Sequence, residues 1–155
     1  MYMKKLILAL CLWCYPCLAT DIKVVDGDSL EMDGNRIRLD GIDAPEFFQT
    51  CETAYGETYD CGQEATEFLR SFIADKQIRC NCDDHPDKYN RLICECFADK
   101  TSLNQEMVRQ GWARVYRSKK YIDDENFAEE NLSGIWQGRH MRPALYRILQ
   151  KYQTL

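Results

Sequence analysis

Residues Asp21 to Glu46 read DIKVVDGDSLEMDGNRIRLDGIDAPE, and this stretch decides what kind of fold the chain can adopt. Its apolar residues fall into three short groups: Ile22, Val24 and Val25; Leu30 and Met32; Ile37 and Leu39. Short apolar groups separated by polar and turn-forming residues are the pattern of β-strands. Asp33-Gly34 lies between two of these groups, and such a pair tolerates the positive φ of a tight hairpin turn. The acids are placed at the strand ends: Asp26-Gly27-Asp28 after the first, and Asp43-Ala44-Pro45-Glu46 after the third.

The pattern changes further along. From Gly62 to Asp75, Ala65, Phe68, Leu69, Phe72 and Ile73 recur at helical spacing. Gln77–Cys82 and Arg91–Phe97 read as two more strands joined by the polar stretch Asp83–Asn90. Ser102 is placed to cap a helix running to Arg109, with Gln105 in capping-box position and Gly111 as its stop. Helices are also expected at about Asp123–Asn131 and at Pro143–Tyr152, the latter as an appended packing helix. Strands first and helices interleaved later make a single α+β domain.

A chain of 155 residues has room for one such domain. With 45% hydrophobic and 29% charged residues, it is neither a disordered nor a multi-span membrane protein. Lys4 and Lys5 precede an uncharged run from Leu6 to Ala19, broken by Pro16, which reads as a secretory signal peptide over residues 1–19 with the domain at 20–155. That run is too short for a bilayer span. Its removal takes Cys11, Cys14 and Cys17 with it. Six of the nine cysteines remain: Cys51, Cys61, Cys80, Cys82, Cys94 and Cys96. An even number in an exported domain, periplasmic or secreted, reads as a disulfide framework. Loss of Lys4 and Lys5 also moves the net charge from −5 to −7, a poor fit to a protein that coats nucleic acid through a basic surface.

Acids beside Gly and Pro turns can converge on a hard cation, yet Asp and Gly are also ordinary turn residues. Arg38 shifts that balance, because it lies in the strand leading to Asp43. Arg91 opens another strand after Asp87-Lys88-Tyr89-Asn90. Carboxylates for a metal, together with arginines that can grip phosphate oxygens in bidentate fashion, are what phosphodiester hydrolysis requires.

These segments resemble the staphylococcal nuclease family. Val24–Leu30 and Ile37–Glu46 look like its opening motifs, and Asp87–Arg91 like its second-arginine motif. Leu103-Asn104, Met107–Ala113 and Gly134-Ile135-Trp136 match its later helix, strand and closing motif. The resemblance implies a five-stranded OB-fold β-barrel with about three packed helices, here followed by a C-terminal helical tail. It also implies Ca²⁺-dependent cleavage of DNA and RNA to 3′-phosphate ends. A monomer with no stable protein partner is expected. Carried over position by position, Asp28, Asp43 and the Ala44 backbone carbonyl would hold the metal. Glu46 would orient or deprotonate water, Arg38 and Arg91 would grip the phosphate, and Lys88 and Tyr89 would touch a flanking phosphate. Asn90 stands where the family has Gly, and Asn tolerates a left-handed backbone best after Gly.

The remaining residues leave alternatives open. Exported relatives often carry cysteines at the positions of Cys80 and Cys96, which supports a hairpin registry pairing Cys80 with Cys96 and Cys82 with Cys94. Cys51 and Cys61 would then close a loop. A four-thiolate zinc site with His85 nearby is the rival, although C-x-C is tighter than the usual zinc knuckle. His85 and His140 are expected at the surface. Trp112 and Trp136 are expected in packing roles. The rival to an enzyme is a non-catalytic OB-fold module that binds nucleic acid.

Overall fold

The computed structural model describes residues 21–153. The signal peptide expected over residues 1–19 lies outside the described residues. The opening stretch forms β1 (Ile22–Asp26), β2 (Ser29–Met32) and β3 (Asn35–Leu39). Asp33 and Gly34 take φ values of 49° and 80°. Positive φ at both central residues matches the hairpin turn that the dipeptide predicts, and Met32 pairs with Asn35 across it.

After β3 come the short strands β4 (Ile42–Asp43), β5 (Cys51–Thr53) and β6 (Thr58–Tyr59), then helix α1 (Cys61–Ile73). The long hairpin of β7 (Ile78–Cys82) and β8 (Leu92–Ala98) follows, with the two-residue β9 (Thr101–Ser102) leading into α2 (Leu103–Arg109). The chain continues through β10 (Arg114–Val115), α3 (Ile122–Glu130), a 3₁₀ turn at Gly134–Gln137, β11 (Gly138–Arg139) and α4 (Pro143–Gln153).

The five long strands form one path, β1-β2-β3-β8-β7, in which β3 and β8 run parallel and the other neighbours antiparallel. Among the described residues no ladder joins β7 back to β1. β9 extends the sheet beside β8, while β4–β10 and β6–β5–β11 make two small sheets of their own. Two of these small pairings, β4–β10 and β5–β11, join residues that are distant in sequence. None has an apolar repeat long enough to be read beforehand.

Leu30, Ile37, Leu39, Leu69, Leu103 and Met107 are buried and fill the space between the long sheet and helices α1 and α2. Asn104 sits in that core without exposure. Its Oδ1 accepts from the Cys96 N–H at 3.0 Å, and its Nδ2 donates to the carbonyls of Asp40 at 2.9 Å and Cys94 at 3.1 Å. One buried amide therefore ties α2 to β8 and to the end of β3, with its polar atoms satisfied. Ser102 caps α2 as expected, its Oγ accepting from the Gln105 N–H at 3.3 Å. The Gln105 side chain does not complete the capping box. It donates instead to Asp124 of α3 at 3.1 Å, because a tertiary partner outcompetes the local one.

A smaller apolar cluster gathers Cys51, Cys61 and Ile135, with Tyr59, Trp112 and Trp136 against it. The β7–β8 register opposes Cys80 to Cys96 and Cys82 to Cys94. The sulfurs of these pairs, and of Cys51 with Cys61, lie within disulfide distance, with Cα separations of 4.0, 4.0 and 5.6 Å. Peptide mapping of unreduced, denatured protein should therefore find none of these six thiols alkylated. Alkylation of Cys80, Cys82, Cys94 and Cys96 together with bound zinc would instead establish the four-thiolate site.

His140 is not the surface residue expected. It packs edge-on against Trp136 at 4.9 Å, and Arg114 Nη1 lies 3.2 Å from its Nε2. Its Nδ1 is buried without a hydrogen-bond partner. Burial first, and the Arg114 charge second, hold the imidazole pKa below its ordinary 6.5. The unfolded chain thus binds a proton that the folded chain resists, so stability should fall as pH drops through 6.5. Thermal melts at neutral and mildly acidic pH should show that loss, and His140→Asn should flatten it. An unchanged slope in the variant would contradict this account.

Candidate active site

The site begins at a turn that only glycine fits. A Cβ on Gly27 would meet the Cβ atoms of Ala44 at 2.7 Å and Ala65 at 3.0 Å. The Asp26-Gly27-Asp28 turn therefore lies directly against the segment after β4 and against α1. That closeness lets the Ala44 N–H donate to Asp28 Oδ2 at 2.8 Å, while Ser29 Oγ donates to Asp28 Oδ1 at 3.0 Å. The Asp28 N–H in turn donates to Asp26 Oδ1 at 3.0 Å. Burial and the neighbouring Asp28 charge push the Asp26 carboxyl up to about 7.

Asp28 and Asp43 are each only 3% exposed. Such carboxylates need charged or hydrogen-bonding partners. Arg38, paired with Ser29 across β2 and β3, supplies one to both. Its Nη1 makes an ion pair with Asp28 Oδ1, and its Nη2 lies 3.0 Å from Asp43 Oδ1 and donates to the Ile42 carbonyl at 3.1 Å. Burial alone would lower the Arg38 pKa, but the charges of Asp28 and Asp43 outweigh it and raise it.

Glu46 is held mainly through its backbone. A Cβ on Gly62 would come within 1.8 Å of the Glu46 carbonyl oxygen, so the start of α1 packs tightly on this loop. Fully buried Gln49 holds it from the other side: Gln49 N–H donates to the Glu46 carbonyl at 2.7 Å, and Gln49 Nε2 to the Met141 carbonyl at 2.8 Å. The last contact joins the loop to the segment before α4.

The sequence reading missed what α4 does. Its Leu145, Ile148, Leu149 and Tyr152 are exposed rather than packed, so it is not the packing helix expected. It docks through polar groups instead. Arg147 Nη1 donates to Glu46 Oε1 at 2.6 Å, and its Nη2 to Asp43 Oδ1 at 3.0 Å and Oδ2 at 3.3 Å. Tyr146 Oη donates to the Phe48 carbonyl at 3.2 Å. Burial opposes the Arg147 charge, but Glu46 and Asp43 more than offset it and raise its pKa. A lone arginine inside an amphipathic repeat carries no local signal of such a contact.

The structure thus brings Asp28, Arg38, Asp43, Ala44 and Glu46 together and adds Arg147. Arg91 lies at a neighbouring cleft of about 130 Å³, which it lines with Asp26, Ser29 and Arg36. Its Nε and Nη2 donate to Asp87 Oδ2 at 3.1 and 2.8 Å. Asn90 adopts φ 60°, the left-handed conformation anticipated there. Lys88 and Tyr89 are exposed on the same turn, with Lys88 Nζ 4.9 Å from the Tyr89 ring centre. Among the described residues, no three acidic, histidine or cysteine side chains are grouped to hold a metal by themselves. No helix among them is long and apolar enough to cross a membrane.

The family model for staphylococcal nuclease homologues matches residues 36–138. A succinoglycan biosynthesis protein, ExoI, of Rhizobium meliloti (strain 1021) is 35% identical over 130 residues, covering 81% of this chain and 68% of its own. An uncharacterized endonuclease of Escherichia coli O157:H7 is 34% identical over 151 residues, covering 86% and 90% respectively. A further uncharacterized endonuclease, of Haemophilus influenzae (strain ATCC 51907 / DSM 11121 / KW20 / Rd), is 30% identical and covers 86% and 78%. With the family model spanning residues 36–138 and relatives of 34–35% identity covering more than four fifths of its length, the chain belongs to the staphylococcal nuclease family.

Proposed function

We propose that this protein is an exported, divalent-cation-dependent endonuclease that hydrolyses DNA and RNA phosphodiesters to 3′-phosphate products. The observation that carries the reading is the convergence of two buried carboxylates, Asp28 and Asp43, on one guanidinium, with the half-buried Glu46 alongside. Relatives named endonuclease support hydrolysis of nucleic acid in general. The five-strand path with its parallel β3–β8 contact supports an OB-type barrel as the scaffold.

The donor set suits a hard cation such as Ca²⁺. Asp28 and Asp43 would offer carboxylate oxygens and Ala44 a backbone carbonyl, with the rest of the 6–8 oxygens left to water and phosphate. When bound, the ion would supply Lewis-acid polarisation of a phosphoryl oxygen. Glu46 orients the attacking water and accepts its proton. Arg38 turns donors now spent on Asp28 and Asp43 toward the phosphate, stabilising charge that develops in the transition state. Arg91 approaches from the neighbouring cleft, and Lys88 and Tyr89 on its turn meet a flanking phosphate. The rival of a non-catalytic module finds less support, because it gives no role to acids and arginines arranged in this way.

The two arginines separate chemistry from stability. Arg38→Ala leaves two buried carboxylates short of a partner, which should cost roughly 3–5 kcal/mol of stability as well as activity. Arg91→Ala breaks only a partly exposed pair with Asp87, worth about 0–1 kcal/mol, so activity should fall while the melting temperature holds. Glu46→Gln should lower turnover by about 10²–10⁴-fold. Cleavage assays on single- and double-stranded DNA and RNA, with Ca²⁺, Mg²⁺, Mn²⁺ or chelator, check all three. Wild-type protein that cleaves none of these substrates with any of the cations would overturn the reading.

A further inference from the structure

A cleft of about 490 Å³ runs from Glu46 along α4. Arg147 and Lys151, one turn apart, line it from the helix, and Phe47 and Phe48 from the loop after Glu46. Phe48 is 80% exposed and Phe47 37%. Their rings meet edge-on at 5.0 Å. Two exposed aromatic rings beside two cations are poorly suited to facing water alone, but they match a nucleotide, which has an apolar face and an anionic backbone. The acids Glu46 and Asp26 also line the cleft, and Arg147 already offsets Glu46 at the inner end.

We infer that this cleft is a binding subsite for an unpaired nucleic-acid strand that flanks the scissile phosphate. The inference rests on the nuclease reading for the position of that phosphate. A strand held at Asp28, Asp43 and Glu46 leads directly into the cleft, because Arg147 touches both its mouth and the carboxylates. Phe48 stacks on a base, and Lys151 meets a phosphate one turn further on. Duplex bases already have their faces covered by neighbours, so the subsite takes single strands. It also gives a role to the α4 face that carries Tyr146, Arg147 and Lys151 and that docks through Arg147 and Tyr146.

The test is fluorescence anisotropy with a labelled octathymidylate in chelator at low salt, where binding is read without cleavage. Wild-type protein should bind it, and bind a duplex of the same length more weakly. Phe48→Ala should weaken binding about five-fold or more without changing its salt dependence. Lys151→Gln should reduce the slope of log K against log salt by about 0.7. Both variants should melt with the wild type. Undetectable wild-type binding, a preference for duplex, or unchanged affinity in both variants would overturn the subsite. Binding lost in the variants of a protein that cleaves nothing would sink the nuclease reading and leave the subsite standing. Cleavage by a protein whose two variants bind normally would do the reverse.

Discussion

Arg38 between Asp28 and Asp43 is the interaction on which the rest of this molecule turns. Two carboxylates at 3% exposure need partners to offset their loss of water. Here one guanidinium serves both, while the Ala44 N–H and Ser29 Oγ take up the remaining acceptor capacity of Asp28. Buried ion pairs contribute little net stability over well-packed apolar groups, but breaking one is costly. Such a cluster is weakly explained by stability. It is better explained by a function that needs negative charge focused at one point and a guanidinium that can be redirected.

Three pieces of backbone keep the acids where they are. Gly27 lets the first turn lie against Ala44 and Ala65, and Gly62 lets α1 close on the Glu46 carbonyl. Gln49, fully buried, fixes the loop that carries Glu46 and ties it to the segment ahead of α4. The Cys51 and Cys61 sulfurs meet at the far end of the same loop. Glu46 therefore takes its position from α1 and from the tail as much as from the sheet. Local acidity also runs against the usual range at Asp26, where burial and Asp28 favour the protonated form.

Much of this was legible in the residues themselves. The Asp33-Gly34 hairpin, the alternation through β1–β3, the spacing in α1 and the Ser102 cap are local signals, and each appears where its chemistry placed it. The acids of the Asp26–Asp28 and Asp43–Glu46 turns and Arg38 converge because short turns leave them little choice. What stayed hidden was long-range. β4 pairs with β10 and β5 with β11 over two residues each, too short for any periodicity. Arg147 reaches Asp43 and Glu46 across most of the chain, and nothing near it in sequence marks that contact. Its helix was misread because amphipathic spacing looks the same whether the apolar side is covered or left open.

The acidic balance of the chain, −5 overall, sharpens what the site must do. On the proposed reading, attraction to a polyanion does not come from a broad basic surface but arises locally, from a few cationic side chains that a bound cation would reinforce. The direct test is thermal melting of chelated protein titrated with Ca²⁺. Binding at Asp28 and Asp43 should raise the melting temperature by about 5–10 °C once the ion is near 100 times its dissociation constant. Asp43→Asn should abolish the rise. No shift in the wild type, or an equal shift in Asp43→Asn, would show that these carboxylates do not hold the cation.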